Sequence, residues 1–214
     1  MKILLPKAWI QDRKRDYYYQ KAKAENYRSR ATYKLSQTAR TYRFIRRGDV
    51  VVDLGAAPGG WIQAARKIAG KTGFILGVDL KPIEPFPQEY IRTIVADFTE
   101  PEALQQILDF LPQKADVVLS DASPNISGIW EVDNARQIDL AGEALKVALS
   151  VLRPSGNFFV KVFEGNMLQG FVKKVKKHFE VVKIIKPKAS RAKSSEMYLL
   201  AMKLKQTSRV EEQS

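Results

Sequence analysis

The sequence predicts an α/β domain built on a mostly parallel, seven-stranded sheet that ends in an antiparallel hairpin. Three observations carry this. From residue 50 onward, β-rich runs alternate with helical stretches, the pattern of parallel strands joined by crossover helices. A glycine-rich turn, GAAPGGW at 55–61, links the first run to the first helical stretch. The last two runs are separated by a loop too short for a crossover helix, so they must pair antiparallel.

The runs at 50–54, 73–80, 91–97, 115–120 and 156–162 are dense in Val, Ile, Leu and Phe, as strands covered on both faces are. Helices are expected at 60–69, 101–110, 133–152 and 167–179. The hairpin takes 180–186 and 196–205 around the loop 187–195. Residues 1–47 read as a basic helical extension, 48–205 as the main domain and 206–214 as a polar tail.

The chain has 214 residues, enough for one α/β domain with a full core. It has no run of eighteen apolar residues, and residues 1–6 are too short for a signal-peptide core. A soluble, cytoplasmic, monomeric protein without membrane contact is therefore expected. Cysteine is absent, which excludes disulfides, iron–sulfur clusters, thiolate zinc sites and cysteine nucleophiles. His178 is the one histidine, so histidine metal sites and Ser-His-Asp triads lose their support; it reads as a solvated helix residue.

The formal charge is +13, which points to a polyanion as partner. Within residues 1–50, fourteen Lys or Arg stand against four Asp or Glu, interleaved with Tyr17, Tyr18, Tyr19, Tyr27, Tyr33 and Tyr42. Cations neutralise phosphates and tyrosines stack on bases, so an RNA or single-strand surface is favoured over a merely solvated helix. Its phosphates would meet the segment around Arg28, Arg30 and Lys34.

The spelling of the glycine turn decides what it can hold. Gly55 and Gly60 have P-loop spacing, but Trp61 stands where the phosphate-binding lysine should be. A dinucleotide fingerprint needs a second glycine two residues after the first; Ala57 occupies that place, followed by Pro58, which has no N–H donor. The turn thus suits a bulky ligand without phosphate. Each of the next strands ends in an acid: Asp79, Asp97 and Asp121. Alone, each would read as a turn or N-cap residue. Beside one glycine turn, at the carboxyl ends where open α/β sheets bind ligands, they suit ribose hydroxyls, an exocyclic amine and a positive centre. S-adenosylmethionine has all three: Asp79 would reach the ribose, Asp97 the adenine amine and Asp121 the methionine end. The closing hairpin adds a fold-level analogy to the Rossmann-like class I methyltransferases.

In this order, six pieces resemble the FtsJ/RlmE-type ribosomal RNA 2′-O-methyltransferases: YRSRATYKL at 27–35, DLGAAPGGW at 53–61, GVD at 77–79, SDASPNISG at 120–128, FVKVF at 159–163 and SRAKSSEMY at 190–198. The resemblance implies that 48–205 is a methyltransferase domain with a Lys-Asp-Lys-Glu tetrad at Lys34, Asp121, Lys161 and Glu196. It further implies adenosylmethionine contacts at Gly59, Trp61, Asp79, Asp97 and Asp121. The implied acceptor is a ribose 2′-hydroxyl, of a uridine in 23S or large-subunit ribosomal RNA, within the large ribosomal subunit. Where many members carry Met-Ala-Pro-Asn after the catalytic acid, this chain has Ala122-Ser123-Pro124-Asn125, a change to smaller side chains that alters pocket shape rather than chemistry.

The residues themselves support part of this. Lys161 lies inside an apolar strand, where a charge is costly without a partner, although an edge lysine snorkelling to water would look the same. It is the best candidate for the base that takes the ribose proton, with Asp121 orienting it and Lys34 and Glu196 positioning. No metal is required. An amine acceptor is disfavoured, because the Pro-Pro-aromatic arrangement that holds an amine after the fourth strand is missing. Transfer RNA or cap methylation, and a non-catalytic RNA-binding ribosome-assembly module, stand as alternatives.

Overall fold

The computed structural model of the chain describes residues 16–191 and 194–206. Residues 1–6, the remainder of the extension before Asp16 and the tail from 207 on lie outside them. Two helices precede the sheet, α1 (Tyr17–Ala24) and α2 (Thr32–Tyr42). Asp16 starts α1 by accepting a hydrogen bond from the Tyr19 amide at 3.1 Å, the N-cap role of a short acid. α2 stops at Arg43, which sits in the left-handed region at φ 52°.

The sheet strands are β1 (Val50–Leu54), β2 (Phe74–Asp79), β3 (Ile91–Val95), β4 (Ala115–Ser120), β5 (Leu152–Phe163), β6 (Phe179–Ile185) and β7 (Glu196–Leu204), within one or two residues of expectation except at β5. Between them run α3 (Gly60–Ala69), α4 (Pro101–Phe110), α5 (Trp130–Val151) and α6 (Leu168–His178). The strand order is β3-β2-β1-β4-β5-β7-β6; β1 to β5 are parallel, and β7 is antiparallel to both its neighbours. β1 lies inside the sheet between β2 and β4, with Val51 registered against Ile75 on one side and Val117 on the other.

Strand alternation divides the core. Val50, Val52 and Leu54 pack under α4, α5 and α6, while Val51, Val117 and Phe159 face α2 and α3. Full burial of a Val or Leu contributes about 1.5–3 kcal/mol, so β1 alone anchors both layers. α3 sits close to β2 because Gly77 has no side chain; a Cβ there would lie 2.5 Å from Ile62 Cδ1.

β5 is longer than the expected 156–162. Its register against β4 shifts between Ala115 and Val117, and Ser155 takes a left-handed φ of 63°, so an irregular stretch is absorbed at its start. α5 begins at Trp130 rather than 133, because Asp133 in its first turn fastens the preceding loop. Its carboxylate accepts from the Ser127 amide at 2.7 Å, the Ser127 hydroxyl at 2.8 Å and the Gly128 amide at 3.0 Å. His178 ends α6 and is half-buried rather than fully solvated. Among the described residues no helix is long and apolar enough to cross a membrane.

Candidate active site

The antiparallel hairpin determines which side chains meet. Lys161 on β5 is registered opposite Tyr198 on β7, and Phe163 opposite Glu196. Alternation therefore sets Lys161, Glu196 and Tyr198 on one face. α2 packs on that face and delivers Lys34, while the chain leaving β4 supplies Asp121.

The five groups form a connected lattice. Lys34 Nζ donates to Glu196 Oε2 at 2.9 Å and to the Tyr198 hydroxyl at 3.1 Å. That hydroxyl donates in turn to Asp121 Oδ1 at 2.7 Å. Lys161 Nζ donates to the Asp121 carbonyl at 2.6 Å, lies 3.3 Å from Asp121 Oδ1 and reaches Glu196 Oε1 at 4.0 Å. The structure thus brings together Lys34, Asp121, Lys161 and Glu196, four residues singled out in the sequence, and adds Tyr198. Gln137, also buried, donates to the Lys161 carbonyl at 3.1 Å and the Ala122 carbonyl at 3.3 Å, bracing the strand against the loop.

Opposite charges govern the local protonation. Burial works to raise the Glu196 carboxyl, but Lys34 and Lys161 outweigh it and hold Glu196 below its ordinary range. Burial and the charges of Asp121 and Glu196 push the Tyr198 phenol well above its ordinary value, so it remains a hydrogen-bond donor at working pH. Behind the cluster, Asp53 on β1 is fully buried, and neither of its oxygens has a hydrogen-bond partner among the described residues. Burial, then Asp121 and Asp79, push its carboxyl well above the ordinary range, which favours the neutral acid.

Two clefts meet at this lattice. One, of about 600 Å³, opens at the carboxyl ends of β1, β2 and β4 and is lined by Gly55, Asp79, Leu80, Asp97 and Asp121 among others. Asp79 spans the glycine turn: Oδ2 accepts from the Ala57 amide at 2.9 Å and Oδ1 from the Lys81 amide at 2.8 Å. Asp97 Oδ1 accepts from the Thr99 amide at 2.9 Å and its hydroxyl at 2.6 Å. Leu80, 66% exposed, offers an apolar wall suited to a flat ring. A side chain at Gly55, where φ is +74°, would strike Ala122 at 2.7 Å, so glycine keeps this cleft open.

Gly59 and Trp61 sit apart from that cavity wall. Gly59 closes the turn through its amide to the Ala56 carbonyl at 2.6 Å. The Trp61 indole is buried, donates to the Ala31 carbonyl at 2.8 Å and stacks on Phe159 at 5.4 Å, so it supports the lattice from below.

The second cleft, about 730 Å³, is lined by Tyr19, Arg28, Arg30, Lys34, Arg191 and Glu196 among others. Arg28 is tied to backbone: it donates to the carbonyls of Glu84 at 2.6 Å, Pro85 at 3.2 Å and Pro58 at 3.3 Å, and its guanidinium lies 3.9 Å above the Phe86 ring. Arg30 bonds Asp16 and the Ala189 carbonyl. All three expected RNA-facing residues share one cleft, with Arg28 and Arg30 also holding its walls.

A ligand cleft at the strand carboxyl ends, joined through a buried lysine–carboxylate lattice to a basic cleft, defines a group-transfer enzyme of doubly wound α/β class. Residues 27–204 match the model of the FtsJ-like methyltransferases, and the chain belongs to that family. It is 50% identical over 198 residues to a Methanocaldococcus jannaschii protein named ribosomal RNA large subunit methyltransferase E, covering 91% of this chain and 81% of that one. A Methanothrix thermoacetophila protein of the same name is 52% identical over 190 residues, covering 89% and 73%. Among solved structures, one from Plasmodium falciparum described as a ribosomal RNA methyltransferase superposes with a TM-score of 0.74 at 24% identity, covering 83% of this chain and 98% of that one, which supports the fold. The chain is a methyltransferase.

Proposed function

We propose that the chain transfers a methyl group from S-adenosylmethionine to a ribose 2′-hydroxyl of large-subunit ribosomal RNA, a uridine being the expected acceptor. The observation that carries this reading is the position of Asp121. It lines the ligand cleft, and its carboxylate also touches Lys161 and Tyr198, while Lys34 and Glu196 face the basic cleft. The names of the relatives support ribosomal RNA as substrate.

The ligand cleft has the acceptors the methyl donor requires, with Asp79 for ribose hydroxyls, Asp97 for the adenine amine and Asp121 for the cationic methionine end. Gly59 and Trp61 would contribute at most backbone groups. When bound, adenosylmethionine supplies a methyl on positive sulfur: the S–CH3 bond breaks as the O2′–CH3 bond forms, leaving adenosylhomocysteine. The ribose hydroxyl loses its proton to Lys161 Nζ, the proposed base, which passes it on to solvent. Asp121 orients Lys161, and Lys34 with Glu196 positions the ribose. No step in this reading calls for a metal ion. Residues 1–47 form the RNA-facing extension of the 48–205 methyltransferase domain, residues 206–214 a polar tail, and the enzyme works as a cytoplasmic monomer on ribosomal particles.

Lys161→Ala is expected to abolish incorporation of labelled methyl into ribosomal RNA while binding adenosylmethionine with wild-type affinity by calorimetry. Near-wild-type turnover refutes the assignment of the base. Equal methylation of transfer RNA, or mapping of the label to a base rather than a ribose, refutes the substrate.

A further inference from the structure

The loop leaving the catalytic acid carries an apolar crest with no role in either cleft. Ile126, Ile129 and Trp130 are 63%, 58% and 45% exposed, and Met167, just before α6, is 45% exposed. Exposed apolar side chains grouped in one patch, unlike scattered ones, mark a contact surface. This loop is fixed rather than loose: Asp133 holds Ser127 and Gly128, Arg136 reaches the Asn125 carbonyl at 3.4 Å, and Gln137 reaches that of Ala122. The crest is therefore held in place for display.

Its location says what it displays to. Trp130 stacks on Phe163, with centroids 6.0 Å apart and planes 20° from parallel. Phe163 follows Lys161 by two residues on the same strand face, a spacing of about 7 Å. The indole thus stands one ring beyond Phe163, whose registered partner Glu196 lines the Arg28 and Arg30 cleft. Four residues on from Phe163, Met167 caps α6, and Gly170, Lys174 and Lys177 follow at helical spacing along its exposed side.

We propose that this crest is a second nucleic-acid contact: a stacking platform for unpaired bases flanking the acceptor nucleotide, continued by the α6 lysines along the backbone. This rests on the reading of RNA as substrate. An aromatic pair beside the acceptor position, followed by cations in a chain of charge +13, is the pairing of stacking and phosphate neutralisation that single strands require. The strand would cross the lattice between two holds, and the target ribose would be presented at the gap between them.

Trp130→Ala is expected to raise KM for a ribosomal RNA oligonucleotide about tenfold, the loss of one base–aromatic stack. Adenosylmethionine affinity stays as in wild type, and Trp130→Phe, which keeps a ring, recovers most of the loss. Ile126→Ser, away from Phe163, should raise KM in the same direction, which separates the effect from damage to the lattice. Adding the oligonucleotide should quench tryptophan emission in wild type and much less in Trp130→Phe. An unchanged KM for naked RNA in both variants overturns the proposal. So does a KM change seen on assembled subunits alone, which would assign the crest to a protein. If wild type methylates no ribosomal RNA, the substrate reading fails instead, and the quenching measurement with the oligonucleotide still tests the platform.

Discussion

Tyr198→Phe removes one oxygen from the centre of the lattice and little else. The ring keeps its stack on Phe159 at 4.9 Å and its contact with Trp61 at 5.7 Å. The lost oxygen donates to Asp121 Oδ1 at 2.7 Å and accepts from Lys34 at 3.1 Å. Neither partner is stranded, because Lys34 keeps Glu196 at 2.9 Å and Asp121 keeps Lys161 at 3.3 Å. A hydrogen bond to a charged group is worth about 1.5–3 kcal/mol. At about 1.4 kcal/mol per tenfold in rate, misplacing Asp121 should lower kcat roughly 10–100-fold, with KM for RNA near wild type. Steady-state kinetics with ribosomal RNA, with adenosylmethionine affinity as control, measures both. A kcat within twofold of wild type would refute a positioning role for the phenol.

Two further perturbations test the surroundings. The Asp53 carboxyl is raised in the folded chain, so above about pH 4 the unfolded chain releases a proton that the folded one keeps. Folding stability then falls as pH rises toward the folded value, by at most about 1.4 kcal/mol per pH unit for one proton. Asp53→Asn should abolish that slope in urea denaturation followed upward from about pH 4; curves for the two proteins that stay parallel would show Asp53 ionised. Gly55→Ala forces a side chain at φ +74° against Ala122, at about 1–2 kcal/mol of backbone strain. Adenosylmethionine Kd should rise about tenfold while RNA affinity holds; an unchanged Kd would mean that the turn does not shape the ligand cleft.

The sequence exposed what local pattern encodes. Apolar runs located all seven strands, and the acids at their ends marked one cleft wall, because parallel strands share a carboxyl edge. Lys161 was visible as a charge inside an apolar run. Tyr198 was not, since a tyrosine two residues into an apolar strand reads as core, and its partner Asp121 is 77 positions away. The same non-locality hid the placement of β7 between β5 and β6: adjacency in sequence predicts the β6–β7 pair but not the β5–β7 pair that builds the site. Arg28 shows a different limit, because composition counts a guanidinium as free charge whether it faces phosphate or three backbone carbonyls. The direction of the Trp61 indole was within reach, since Trp61, Ala64 and Ala65 share the apolar side of α3 that packs on the sheet.

The lattice also has a thermodynamic logic that a pair of variants can test. Four ionic groups are drawn partly out of water, at a cost of several kcal/mol per deeply buried ion, and alternation of sign offsets it. Lys34, 9% exposed at its side chain, touches Glu196, 28% exposed, at 2.9 Å; each is the other's principal countercharge. Lys34→Met leaves Glu196 with the more distant Lys161, and Glu196→Gln leaves Lys34 with the Tyr198 hydroxyl. Each single variant should therefore destabilise the fold by more than the loss of the contact, because it strands a charge. The double variant removes both charges together, so its cost should fall short of the sum by about 0.5–3 kcal/mol. Chemical denaturation of the four proteins at neutral pH measures the coupling. Strict additivity would mean that water, not the partner, stabilises each ion, and the lattice would then be an arrangement for catalysis with no share in folding.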